Sequence, residues 1–143
     1  MSESSEETVV VREIDRWRSI YYAAASGDFN PIHLDAEIGQ LAGLGGIILQ
    51  GMCTLAMGCE AAVAHVGGDP GALRRVKVRF SRPVRPGDTL TFTVRTEAVR
   101  DGRAQLSLQA VNQDGEAVLS RATLEADADA LAARGGGRDA AEP

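Results

Sequence analysis

The chain has 143 residues, an apolar share of 44%, 15 Lys and Arg against 20 Asp and Glu, and a net charge of −5. That is enough apolar material for one domain with its own core and no need of disulfide staples. The acidic balance argues against general nucleic-acid binding, which needs a strongly basic surface, and no apolar run reaches the roughly 20 residues that span a bilayer.

Excess acid sits at the ends. The leader carries Glu3, Glu6 and Glu7, and the tail carries Asp127, Asp129, Asp139 and Glu142 against Arg134 and Arg138, which leaves the body near neutral. Residues 1–7 read as a disordered acidic leader unlike a signal peptide, so a cytoplasmic location is expected. Residues 8–11 form a short β-prone run. Residues 14–25 read as a helix, with Trp17, Ile20, Tyr21 and Ala24 recurring at three- and four-residue spacing.

That helix leads into Ser26-Gly27-Asp28-Phe29-Asn30-Pro31-Ile32-His33. In one continuous helix, Asp28 and His33 would lie about 140° apart around the axis and could not converge. Gly27 loosens the chain, and Pro31 biases Asn30 away from helical angles. The segment therefore reads as a sharp loop that points a carboxylate and an imidazole at one small volume, the arrangement proton transfer requires. Taken singly, each residue also fits a blander role, Asp28 as a turn former and His33 as a satisfied loop histidine.

Asp35 is placed to cap a short helix ending at Leu41 or Ala42, with Glu37 in its first turn, and Gly43, Gly45 and Gly46 break it. Gln50-Gly51-Met52 opens a longer helix running to about Val66. Apolar residues from Met52 to Ala64 cover its every face, the pattern of a helix buried all round. Cys53 and Cys59 lie on it roughly 9 Å apart along the axis, too far for a disulfide. Residues 67–71, Gly-Gly-Asp-Pro-Gly, end it.

The rest alternates with period two: Val76, Val78 and Phe80; Leu90, Phe92 and Val94; Ala104, Leu106, Leu108 and Ala110. Turns fall at 85–88, Asp101-Gly102 and Asp114-Gly115, before a last strand over 117–125. This predicts antiparallel strands covered on one face, with the apolar helix as the cover. The expected fold is α+β, an antiparallel sheet wrapped around a long buried helix over residues 8–125. Residues 126–143 lack an apolar period and are expected to be disordered.

The loop, the helix start and the strand order together resemble the MaoC-like (R)-specific enoyl-thioester hydratases and dehydratases of the hot-dog fold. The resemblance covers about residues 15–125. It rests on Tyr-Ala-Ala-Ala-Ser-Gly-Asp-Phe-Asn-Pro-Ile-His-Leu-Asp at 22–35, on Gly51-Met52, and on Arg-Pro-Val-Arg-Pro-Gly-Asp at 82–88. It implies a lyase that adds water to a trans-2-enoyl thioester of coenzyme A or acyl carrier protein, or removes it from the 3-hydroxyacyl thioester. It implies a homodimer, or a heterodimer with a similar chain, and no metal or cofactor beyond the thioester carrier. By the same resemblance Asp28 and His33 are the acid–base pair, Asn30 holds the loop, and the Gly51 N–H binds the thioester carbonyl. A helix N-terminus suits that task, because negative charge develops on this oxygen during addition.

Gln50 stands where the family usually has His; it can hydrogen-bond but cannot hold a proton. Cys59, two turns into the helix, is expected to line the pocket at most. Arg74, Arg75, Lys77, Arg79, Arg82 and Arg85 form a strip without an acid. The strip could steer phosphates or an acidic carrier, or be the solvated face of a strand. His65, near the helix end, reads as a partner of the helix dipole. Two other readings compete: a non-catalytic subunit of a heterodimeric dehydratase, favoured by Gln50, and a hot-dog thioesterase.

Overall fold

In chain order the elements are β1 (Glu7–Glu13), α1 (Arg18–Ser26), a 3-10 turn at Pro31–His33, α2 (Ala36–Leu41), α3 (Gly51–His65), β2 (Leu73–Phe80), β3 (Thr89–Arg100), β4 (Arg103–Val111), β5 (Ala117–Asp127) and α4 (Ala128–Gly136). They come from a computed structural model that describes residues 6–136. The five strands form one antiparallel sheet in the order β1-β3-β4-β5-β2. Over β3 and β4 its inner face is the row of residues that the period-two pattern marks, whereas Val76 and Phe80, which the same pattern marks on β2, are exposed. Leu90, Phe92, Val94, Ala104, Leu106, Leu108 and Ala110 are all buried, and α3 lies across them. This is the hot-dog arrangement.

Small residues on α3 let the helix sit close to the sheet. A Cβ added at Gly58 would stand 2.8 Å from the Leu108 side chain. Only one side of α3 is covered, however. Cys53, Thr54, Met57, Gly58, Ala61, Ala62 and His65 are buried, while Met52, Ala56, Glu60 and Ala64 are exposed. A helix apolar all round is thus buried on one side in the single chain, because five strands curve around half of it.

Three further expectations are corrected. Helix α1 begins at Arg18 rather than residue 14. Ile14 is instead spent on a bridge to the 85–88 turn, its N–H donating to Asp88 O at 2.8 Å and its carbonyl accepting from Gly87 at 2.7 Å. Asp15 then accepts from the Trp17 N–H just before the helix starts. The apolar stripe of α1 also faces outward. Trp17, Ile20 and Tyr21 are exposed, and the small residues Ser19 and Ala23 are the buried ones.

The ends differ as well. Glu7, assigned to the leader, is the first residue of β1 and pairs with Arg95 across to β3. At the other end β5 continues to Asp127, and α4 follows where disorder was expected. Ala130 and Leu131 pack on the core, and the Arg134 guanidinium donates to His65 O at 2.8 Å. Two small apolar contacts and one long-range bond hold this helix, and a composition scan does not see them. Residues 1–5 and 137–143 lie outside the described residues. No described helix is long and apolar enough to cross a membrane.

Candidate active site

The 26–33 loop is built by local hydrogen bonds that its sequence dictates. Gly27 closes α1 with φ of 78°, a left-handed conformation glycine adopts freely, and its N–H donates to Ala23 O. Ser26 Oγ donates to Tyr22 O and accepts from the Asp28 N–H. Asp28 Oδ1 accepts from the Asn30 N–H, and Asn30 Oδ1 accepts from the Ile32 N–H. Asn30 therefore holds the loop, with Pro31 starting the 3-10 turn that ends at His33.

This brings Asp28 Oδ2 to 3.6 Å from His33 Nε2. The imidazole is buried, while the Asp28 carboxylate remains 46% exposed, so solvent reaches the pair at Asp28. His33 Nδ1 donates to the Ile48 carbonyl at 2.8 Å. A carbonyl only accepts, so Nδ1 carries the proton, and in the neutral ring Nε2 is left with its lone pair. Two acceptors, Nε2 and Oδ2, then face each other. A water beside the pair, donating one hydrogen to each, satisfies both.

The third component is the start of α3. Gln50 caps it without a side-chain cap bond, and the Gly51 and Met52 N–H groups have no acceptor among the described residues. His33, Gly51 and Thr54 line one cavity of about 250 Å³ with the apolar side chains of Leu49, Val84 and Val118. The Phe80 ring forms part of its wall, close enough that a Cβ on residue 51 would stand 3.2 Å from two ring carbons. Glycine at 51 keeps that approach open.

Gln50 does not line the cavity. It is 1% exposed, and its Nε2 donates to Ser19 O at 2.9 Å and to Asp28 O at 3.4 Å. Cys59 is not among the cavity residues either, because it lies two turns along α3. Burial pushes both the Cys53 and Cys59 thiols up, so neither is a thiolate nucleophile at neutral pH. Both are free. Among the described residues no cluster of three His, Cys, Asp or Glu could hold a metal ion.

Sequence reasoning did not find Ile48, Thr54 or Phe80. Thr54 carried a signal, since it follows Gly51 by less than one helical turn. Ile48 and Phe80 carried none: one acts through its carbonyl, and the other reads as a core residue of a strand yet is 51% exposed. His65 is not the dipole partner expected. It is fully buried, with Thr8 Oγ1 2.9 Å from Nδ1 and Thr96 Oγ1 2.9 Å from Nε2. Burial and the nearby Arg134 lower its pKa, against a smaller opposing pull from Glu6, which keeps the ring neutral. In the basic strip, Arg74 is tied to Asp127 and Arg82 reaches Glu116 at 3.5 Å. Arg75, Lys77 and Arg79 are exposed and make no ion pair with the described residues.

Comparison with known proteins bears on this geometry. The family described as MaoC like domain matches residues 3–117. A probable enoyl-CoA hydratase 2 of Dictyostelium discoideum is 33% identical over 105 residues, which is 72% of this chain and 34% of that protein. A 3-hydroxyacyl-thioester dehydratase Y of Mycobacterium tuberculosis is 41% identical over 93 residues, 63% of this chain and 31% of that one. The chain thus spans about a third of the length of either relative. Among solved structures, the unliganded R-hydratase of Pseudomonas aeruginosa superposes with a TM-score of 0.75 at 30% identity, covering 87% of this chain and 80% of that one.

Proposed function

The chain belongs to the MaoC like domain family, and from that premise we propose that it hydrates a trans-2-enoyl thioester to the (R)-3-hydroxyacyl thioester, or runs the reverse dehydration. The observation that carries this reading is the His33 tautomer. Because Nδ1 is committed to Ile48 O, Nε2 and the Asp28 carboxylate together form a two-acceptor seat for one water. The water oxygen attacks C3 of the alkene while the pair takes one of its protons. Negative charge then gathers on the thioester oxygen, where the unpaired N–H groups of Gly51 and Met52 and the positive end of α3 stabilise it. Return of a proton from the pair to C2 completes net addition of water, with no cofactor invoked.

The assembly is part of the proposal. Among the described residues strand β2 pairs only with β5, which leaves its other edge unpaired by them, and Met52, Val76 and Phe80 are exposed beside or along it. A second hot-dog chain, identical or similar, would continue the sheet there and cover the open side of α3. Arg75, Lys77 and Arg79 would favour a phosphate-bearing or acidic thioester carrier. The two free cysteines suit a reducing, cytoplasmic setting.

Incubation of the purified protein with crotonyl-CoA tests the reading. Formation of 3-hydroxybutyryl-CoA with the thioester intact is the expected result. Release of free thiol would assign a thioesterase instead, and absence of any product from a folded dimer would favour a non-catalytic subunit.

A further inference from the structure

Gln50 is buried at the junction of three segments: α1, the Asp28 loop and the start of α3. Its Nε2 bonds Ser19 O at 2.9 Å and reaches Asp28 O at 3.4 Å. The donor atom faces two carbonyls, which fixes the amide orientation. The opposite atom, Gln50 Oε1, is buried with no partner among the described residues, and so is Ser19 Oγ. An unsatisfied buried acceptor costs stability, so an apolar side chain of this size would suit the core better at that atom. Gln50 also directly precedes Gly51, so the residue that touches the Asp28 backbone is covalently joined to the start of α3.

We infer that Gln50 is a positioning residue that sets the distance between the Asp28–His33 pair and the N–H groups at the start of α3. The inference rests on the proposed hydration, in which the pair acts at C3 while the helix end holds the thioester oxygen three bonds further along. Both ends of that short span must be held at once. The cavity holds only part of this arrangement, since His33 and Gly51 line it and Asp28 does not. The Gln50 amide spans the gap from behind, out of reach of the substrate, and carries no proton in the reaction.

Two variants test it. Gln50→Met keeps length and burial, removes both donated bonds and also removes the orphaned oxygen. Expected are a kcat lower by roughly tenfold to 10²-fold, as for a small misplacement of reacting groups, a KM within about threefold, and faster amide exchange in the 27–33 loop but not in β4. Gln50→Glu can donate only one of these bonds, and only while its buried carboxyl keeps a proton, because the carboxylate would face two carbonyl oxygens. Its kcat should fall toward high pH along a limb that the unmodified protein lacks, at temperatures where both are folded.

Unchanged kcat and unchanged loop exchange in Gln50→Met would overturn the inference. If that variant does not fold, a Gln50→Glu protein with the pH profile of the unmodified one would overturn it equally. Hydration by the unmodified protein is the separate control. Should it be absent, the proposed function fails, and loop exchange in Gln50→Met still decides whether Gln50 holds the loop.

Discussion

The two ends of α3 each meet one of the chain's two histidines, and they are finished in opposite ways. At the N-terminal end, among the described residues, the Gly51 and Met52 N–H groups lack acceptors, Gln50 Oε1 and Ser19 Oγ are orphaned, and a cavity opens onto His33. At the C-terminal end His65 is sealed, with both ring nitrogens bonded to threonines of β1 and β3 and its carbonyl taken by Arg134. The same side chain is thus a fastener at one end and a candidate reagent at the other. What separates them is whether a lone pair is left free to meet solvent. Unpaired groups cost stability, and this chain concentrates them at one end of one helix.

The largest effects should come from changing the Asp28–His33 pair. Asp28→Asn and His33→Gln are each expected to lower kcat by at least about 10²-fold while the melting temperature stays near its starting value. If both residues hold one water, the double variant should be only slightly worse than the poorer single one. Steady-state kinetics beside thermal melts would check this, and fully additive losses would place the two residues in separate steps.

The opposite pattern is expected at the sealed end. His65→Ala leaves Thr8 and Thr96 without their shared partner and opens a void, a loss of about 2–4 kcal/mol in a denaturant titration. Its kcat, measured where the protein is folded, should not change. A large fall in kcat would erase the division between the ends.

A milder form of the same test uses pH. The folded pKa of His65 is lowered, chiefly by burial and then by Arg134. Below the unfolded value of about 6.5 the unfolded chain therefore binds a proton that the folded chain refuses. This part of the stability is present above that pH and is lost as pH falls, at up to about 1.4 kcal/mol per pH unit, until the folded ring itself titrates. His65→Gln should flatten that slope in melts recorded from neutral to mildly acidic pH.

The smallest effect concerns α4. Truncation after Asp127 keeps the Arg74 and Arg103 pairs to that residue but removes Ala130, Leu131 and the Arg134 bond to His65. A cost of roughly 1–2 kcal/mol with unchanged kcat is expected from melts and assays of the shortened chain.

Which of these features could be read from the sequence follows from the range over which each is determined. Strands β3 and β4 were legible because period-two alternation and Asp-Gly turns are local. The Asp28–His33 approach was legible because Gly27 and Pro31 bend the chain between near neighbours. The start of α1, the face it buries and the existence of α4 were not, since contacts with residues far along the chain decide them: Ile14 with the 85–88 turn, Ser19 with Gln50, Arg134 with His65. For the same reason the partners that complete the candidate site escaped. The Ile48 carbonyl that sets the His33 tautomer is a backbone atom with no sequence signature, and Phe80 reaches Gly51 only through the fold. Cys59 was expected at the pocket from its position on the helix, and the curvature of the sheet puts the cavity nearer the helix start.

The most direct measurement is the stereochemistry of addition in heavy water. Crotonyl-CoA hydrated by this protein in D2O should give (R)-3-hydroxybutyryl-CoA with deuterium at C2 on the face that received the hydroxyl, because one water seated between Asp28 and His33 supplies both groups from one side. Deuterium on the opposite face, or a racemic alcohol, would contradict the single-water pair.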